Sequence, residues 1–113
     1  MRECLQREDS MSTYFIVTNN FIKEQNRCLY NEYMDRVKPI VESYGGTYLV
    51  RTDEIFALSE EWRPDRVIII RFPNREDLDR CFASEEYRTI RDLRTQSVES
   101  RALIIEGIEG GLF

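Results

Sequence analysis

Residues 44–51 read YGGTYLVR, residues 62–77 read WRPDRVIIIRFPNRED and residues 84–87 read SEEY. A double glycine is typical of a helix end that opens into a strand. The apolar run that closes in Phe-Pro predicts a central strand covered on both faces, because proline cannot continue a ladder of backbone hydrogen bonds. Serine followed by two glutamates favours the first turn of a helix. The order of these motifs therefore predicts helix, strand, strand, helix.

Hydrophobic periodicity extends this order toward both ends of the chain. Before the double glycine, apolar and tyrosine side chains recur every three or four residues, which predicts one buried helical stripe; its members are Tyr30, Tyr33, Met34, Val37, Ile40, Val41 and Tyr44. Pro39 should bend or split that helix, because its ring displaces the carbonyl one turn back. The strands are expected at Tyr14–Val17, at Thr47–Thr52 continuing as Ile55–Leu58 after a bend, at Val67–Ile70 and at Ala102–Glu106.

The second helical region should begin after Asn74 and restart after Ser84, since both residues are good N-caps. The predicted order is β, α, β, β, α, β, an α+β ferredoxin-like fold in which an antiparallel four-stranded sheet carries its helices on one face. The free face would be apolar and require cover, so we expect a homodimer through the sheet. We divide the chain into a polar leader (1–11) whose order the sequence leaves open, one domain (12–108) and a C-terminal tail (109–113).

The composition excludes several classes of function. There is no histidine, which removes Ser-His-Asp and Cys-His nucleophilic machinery and the commonest metal ligand, so we predict neither a metal site nor a cofactor. A net charge of −5 argues against nucleic acid as a partner. The first ten residues lack the apolar core of a signal peptide, and no run approaches the roughly 20 apolar residues that span a bilayer. We therefore expect a cytoplasmic protein without a membrane partner.

Six motifs in register give the chain a family resemblance across residues 11–107. They are the YGG helix end, the strand LVR, the Trp-Arg-Pro turn, the strand ending in Phe-Pro, the SEEY turn and the later Leu93-Arg94. The chain resembles domain-of-unknown-function family 1330, of the dimeric α/β-barrel superfamily. The resemblance implies a homodimer whose sheets pack into a shared barrel, with a pocket between each sheet and its helices. Relatives in that superfamily include cofactor-free monooxygenases, muconolactone isomerase-like enzymes and haem-degrading proteins.

The chain departs from the family pattern at two carboxylate positions. Ser59-Glu60 stands where the family usually has Glu-Gly, and Arg71 stands where it usually has glutamate before Phe-Pro. If those carboxylates carry chemistry in relatives, this chain has lost or rearranged it. Whether the protein is an enzyme is therefore left open, as are its substrate and reaction.

The retained polar residues are the candidate ligand-binding positions: Arg51, Trp62, Arg63, Tyr87, Arg94 and, on the first helix, Tyr33. On the functional interpretation, Arg51 and Arg94 bind a carboxylate or enolate oxygen, and Tyr87 or Tyr33 donates a further hydrogen bond or acts as a weak acid, with Tyr87 the candidate catalytic residue. On the structural interpretation, the arginines pair with Glu86 or Glu106, the tyrosines belong to the core and Trp62 covers the dimer edge.

Three hypotheses of function follow. The first is a homodimer that binds a small anionic or aromatic molecule, with or without cofactor-free chemistry. The second is a non-catalytic structural or regulatory homodimer whose cleft is filled by its own aromatic side chains. The third, a haem- or metal-dependent enzyme, is the weakest without histidine. A cavity lined by arginine would favour the first, and Tyr30, Tyr33 and Phe82 packed through the cleft would favour the second.

Overall fold

A computed structural model describes residues 11–108. The elements are β1 (Met11–Phe21), one 3-10 turn (Glu24–Asn26), α1 (Arg27–Ser43), β2 (Thr47–Thr52), β3 (Arg66–Phe72), α2 (Arg75–Phe82), α3 (Glu85–Thr95) and β4 (Val98–Ile108). The predicted α+β ferredoxin-like fold is confirmed, with the second helical region in two pieces. Of the predicted leader only Met11 is described, as the first residue of β1, and the predicted tail lies outside the described residues.

The sheet has the strand order β2-β3-β1-β4, with every neighbouring pair antiparallel. One face lies against the helices and carries the buried residues Val17, Ile68, Ile70 and Phe72. The first and last strands in chain order are longer than predicted, since β1 pairs with β4 from Met11 to Phe21. The polar residues at the ends of β1 hide this length from a hydrophobic pattern.

Helix α1 buries the stripe that the sequence predicts. Tyr30, Tyr33, Met34, Val37 and Val41 are all buried. The helix runs unbroken through Pro39, so the predicted splitting is wrong. Pro39 is exposed, and the carbonyl that lacks a partner one turn back can be solvated at little cost.

The double glycine ends α1 as predicted. Gly45 adopts a left-handed φ of +87°, which glycine tolerates without a steric penalty. Gly46 is needed for space, because a Cβ there would lie 2.4 Å from Val41 Cγ1. The chain can therefore turn tightly from α1 into β2.

The two N-caps are also formed. The Asp77 backbone N–H donates to Asn74 Oδ1 (2.8 Å), and the Tyr87 backbone N–H donates to Ser84 Oγ (3.1 Å). The second cap fixes the first turn of α3, which buries Tyr87 and Ile90 against the rest of the molecule.

The connection between β2 and β3 differs from the prediction. Residues 53–65 form a loop, in which the side chains of Phe56 and Leu58 are 95% and 101% exposed. The prediction of a strand at Ile55–Leu58 is wrong. Pairing of β2 with β3 stops at Thr52 opposite Val67, and within residues 11–108 no strand pairs with residues 55–58.

The outer face of the sheet, the one turned away from the helices, carries apolar side chains in partial exposure. Leu103 and Ile105 on β4 are 62% and 45% exposed, and Trp62 from the β2–β3 loop, 48% exposed, lies beside Leu103 and Ile16. Val67 and Ile69 of β3 are only half-buried on this face. Within residues 11–108, β3 is therefore fully covered only on the face that the helices contact. None of the described helices combines the length and apolarity needed to cross a membrane.

Candidate functional site

A cavity of about 310 Å³ lies between the sheet and the helices. Its walls are mostly aliphatic and aromatic, with contributions from Phe15, Ile70 and Phe82 among others. The polar side chains in the lining are Asn19, Tyr33, Tyr48, Tyr87, Arg94 and Ser100. This volume lies at the lower end of the range for small-molecule sites. The cavity can hold a small, largely apolar ligand.

Five of the six polar side chains in the lining, all except Tyr48, form one hydrogen-bonded series. The hydroxyl oxygens of Tyr33 and Tyr87 are 3.1 Å apart, and Arg94 Nε donates to the Tyr87 oxygen (3.1 Å). Arg94 Nη1 donates to Ser100 Oγ (3.2 Å), which donates to Asn19 Oδ1 (2.6 Å). Asn19 Nδ2 then donates to the Tyr30 hydroxyl behind the cavity wall (3.1 Å). The series fixes the position of the Arg94 guanidinium from two sides.

Helix position brings some members of the series to the cavity, and strand pairing brings the others. Tyr33 belongs to the buried stripe of α1, and Tyr87 follows the Ser84 cap by three residues, which turns it toward the sheet. Arg94 lies about two helical turns after Tyr87 on the same face of α3. Asn19 and Ser100 are paired across β1 and β4, so both side chains project from the helix-facing side.

Arg94 is a half-buried cation in an apolar setting. No aspartate, glutamate or lysine contributes to the cavity lining. Within residues 11–108, no carboxylate oxygen lies within 4.0 Å of a side-chain nitrogen of Arg94. The pairing with Glu86 or Glu106 that the structural interpretation requires is therefore not formed. Among residues 11–108, the guanidinium donates hydrogen bonds only to the hydroxyl oxygens of Tyr87 and Ser100.

Tyr33 and Tyr48 remain neutral over the physiological pH range. Burial raises the pKa of Tyr33 well above its usual range, and the neighbouring Tyr87 hydroxyl raises it further. Burial also raises the pKa of Tyr48. Tyr33 and Tyr48 therefore keep their hydroxyl protons at neutral pH and are not phenolate bases.

Cys81 is buried beside the same cluster of helices. Burial raises the pKa of its thiol to about 12, with a smaller contribution from Glu86. At neutral pH it is a thiol and packs as a small apolar group. No group of three or more metal-ligating side chains is found among residues 11–108.

The structure brings three of the six candidate residues together. Tyr33, Tyr87 and Arg94 line the cavity and contact one another. Arg51 lies on the edge strand β2 with its side chain exposed, and its guanidinium is 5.8 Å from the centre of the Tyr48 ring. It therefore lies beside the cavity wall without joining the hydrogen-bonded series.

The other two candidates belong to the β2–β3 loop. Arg63 is exposed, and its Nε donates to the Glu60 carbonyl (3.3 Å). Trp62 lies over the outer face of the sheet, on the opposite side from the cavity. Neither residue lines the cavity to which Arg94 belongs.

Two residues of the series, Asn19 and Ser100, were not among the sequence candidates. Asn19 continues the inward alternation Phe15, Val17 of β1, so a polar residue there could have been noticed. Ser100 could not have been noticed from the sequence, because its hydrogen bond to Asn19 depends on the register of β1 with β4. The departures from the family pattern are elsewhere: Ser59 is exposed in the loop, and Arg71 lies on the outer face of β3, where it has interactions of its own.

Comparisons with known proteins agree with this architecture. The family model described as "Domain of unknown function (DUF1330)" matches residues 12–108, which confirms the resemblance seen in the motifs. No functionally curated protein matches the chain.

Several solved structures share the fold. A protein of unknown function from Rhodopseudomonas palustris superposes with a TM-score of 0.76 at 15% identity, covering 96% of this chain and 94% of that one. A dimeric ferredoxin-like protein of unknown function from Jannaschia sp. CCS1 gives 0.67 at 14% identity, with 85% and 97% covered. The cofactor-independent oxygenase SnoaB from Streptomyces nogalater gives 0.64 at 9% identity, with 90% and 98% covered. At these identities the likeness is one of fold.

Proposed function

We propose, on the premise that this chain belongs to the DUF1330 family, that it forms a homodimeric α/β barrel and binds a small aromatic anion in the cavity between its sheet and helices. The observation that carries the proposal is Arg94, a half-buried guanidinium in an apolar cavity without a carboxylate partner among residues 11–108. A charge so placed is stabilised by an anionic partner. The aliphatic and aromatic walls suit a flat apolar body.

The proposed dimer forms through the outer face of the sheet. Leu103, Ile105 and Trp62 are partly exposed there, and a surface of this composition favours burial against a second copy. The Jannaschia neighbour is a dimeric ferredoxin-like protein, which supports the same arrangement for this chain. The cytoplasm is the proposed setting, and neither nucleic acid nor a membrane is a proposed partner.

The alternative of a purely structural homodimer has less support. It requires the cleft to be filled by the protein's own aromatic side chains. Phe82 does pack edge-to-face on Tyr87, with ring centres 5.0 Å apart, and Tyr33 on Tyr87 at 6.3 Å. These rings line one side of the cavity and leave about 310 Å³ free. The remaining space favours a ligand.

We assign binding and no reaction to the cavity. The Streptomyces neighbour is a cofactor-independent oxygenase, and a bound enolate is the kind of molecule on which cofactor-free chemistry could proceed. That neighbour shares only 9% identity, so its activity is not carried over. Tyr87, the candidate acid, already accepts a hydrogen bond from Arg94 and in this proposal orients the ligand.

Replacing Arg94 by glutamine should weaken the binding of benzoate about 10- to 100-fold, the loss expected for charge-assisted hydrogen bonds. Titration calorimetry on wild type and variant measures this ratio. Arg91→Gln is the matched control, because Arg91 is exposed on the same helix and does not line the cavity. Equal affinities in all three proteins, or no binding of either benzoate or 4-nitrophenolate to wild type, would contradict the proposal. Native mass spectrometry of the purified protein would also reveal a retained ligand.

A further inference from the structure

We propose, building on the function proposed above, that the cavity selects the deprotonated form of a phenol or enol. The ligand's single anionic oxygen would lie against Arg94 and accept a hydrogen bond from a hydroxyl of the Tyr33–Tyr87 pair. This assigns the chemical class of the ligand and its ionisation state, which anion binding alone leaves unspecified.

The hydrogen bonds already made by Arg94 leave donors available. A guanidinium has five N–H donors, and here Nε donates to Tyr87 and Nη1 to Ser100. Nη2 has no partner in the described part of the chain. Among the described residues, Arg66 Nε is the only side-chain nitrogen or oxygen that is both fully buried and without a hydrogen-bond partner. Because Arg94 Nη2 also lacks a partner, it is not fully buried and remains accessible. It can bind a ligand at the cavity.

The same hydrogen bonds disfavour a bidentate carboxylate. A bidentate carboxylate accepts hydrogen bonds from two neighbouring guanidinium nitrogens, either Nε with Nη2 or Nη1 with Nη2. The first pair is blocked, because the single hydrogen of Nε is donated to Tyr87, and in the second pair Nη1 keeps only the one hydrogen that it does not donate to Ser100. Only Nη2 retains both of its hydrogens for a ligand. This geometry fits one anionic oxygen better than two.

Counting protons on the tyrosine pair gives a second donor. Tyr33 and Tyr87 carry two hydroxyl protons, and the bond between their oxygens uses one of them. The other has no acceptor among residues 11–108, whichever tyrosine carries it. Burial raises the pKa of Tyr33 and so keeps its proton in place at neutral pH. The pair therefore has one O–H left for an acceptor, and both tyrosines line the cavity.

The acceptors of the site are weak and already engaged. Ser100 Oγ accepts from Arg94 and donates its proton to Asn19 Oδ1, and the Tyr87 oxygen accepts from Arg94. The titratable groups around the ligand position are Tyr33 on α1, Tyr48 on β2, and Tyr87 and Arg94 on α3, none of them a carboxylate. A ligand O–H would find no anionic acceptor, whereas a ligand O⁻ would find a cation and an O–H donor.

The probe for this inference is 4-nitrophenol, whose absorbance reports its ionisation directly. Bound to wild type, the dye should titrate about one pH unit below the free dye, which corresponds to roughly tenfold tighter binding of phenolate than of phenol. The double variant Tyr33→Phe/Tyr87→Phe removes only two oxygen atoms and should reduce this shift by the part that the O–H donor contributes beside the Arg94 charge. Tyr44→Phe is the control, because Tyr44 directly follows α1, is partly buried and does not line the cavity.

The outcomes separate this inference from the proposed function. If benzoate binding depends on Arg94 but bound 4-nitrophenol titrates with the free dye, the inference is overturned and anion binding stands. If neither compound binds, both are overturned. A lowered midpoint in wild type and Tyr44→Phe that is reduced in the double variant supports the assignment. An undiminished shift in the double variant overturns the role of the tyrosine pair.

Discussion

Replacing Phe72 by alanine should lower the free energy of unfolding by about 3–5 kcal/mol, the range measured for large-to-small changes of fully buried aromatic residues. Phe72 is fully buried at the end of β3, and its ring centre lies 6.1 Å from that of Phe82. Its ring also lies against Gly46, at the tight turn into β2. Truncation leaves a cavity where three elements meet. Urea denaturation at a fixed protein concentration measures the change.

The chain supplies a matched control in Phe56. The same substitution there removes a side chain that is 95% exposed, and surface changes of this kind stay within about 0.5 kcal/mol. Similar destabilisation of both variants would mean that the β2–β3 loop packs against something in solution. A loss below about 1 kcal/mol for Phe72→Ala would contradict the described core.

The two phenylalanines also show how far the fold could be predicted. Residues 55–58 (IFAL) and residues 67–70 (VIII) are both short apolar runs, which hydrophobic pattern alone assigns equally to strands. What separates them is pairing: β3 lies between β1 and β2, while residues 53–65 have no strand beside them. Pairing of distant segments is a tertiary property. Glycine, N-caps and helical period are local, and those predictions were confirmed.

The candidate site divides along the same line. Tyr33 could be placed on the inward side of α1 from its position in the helical period, and Tyr87 from its position after a cap. Asn19 and Ser100 meet only because β1 and β4 pair in one particular register, which no local pattern specifies. Arg51 shows a related limit. A register shift between Tyr48 and Val50 sets which side of the edge strand it occupies, and the shift has no clear signal in the sequence.

Replacing Leu103 by aspartate should weaken the proposed dimer at least about 1000-fold. Leu103 is 62% exposed on the outer face of the sheet, where a second copy is proposed to pack. Enclosing an unpaired carboxylate in an apolar interface costs several kcal/mol, and each 1.4 kcal/mol is about a tenfold change in affinity. Analytical ultracentrifugation over a dilution series would show wild type as a dimer and the variant as a monomer.

Ile104→Asp is the matched control for the dimer. Ile104 is the next residue of β4, is 39% exposed, and lies opposite Phe15 with its side chain on the helix side of the sheet. It should cost some stability and leave the dimer intact. A wild-type monomer, or dissociation by Ile104→Asp alone, would place the interface elsewhere or remove it.

The dimer test also separates the two parts of the proposed function. Leu103 and Arg94 lie on opposite sides of the same sheet, since Leu103 pairs with Ile16 on the outer face while Arg94 contacts Ser100 on the inner one. A folded Leu103→Asp monomer should therefore bind benzoate with nearly the wild-type affinity. If the monomer folds but no longer binds, the partner subunit must complete or stabilise the cavity, and binding and assembly would be one property of this barrel.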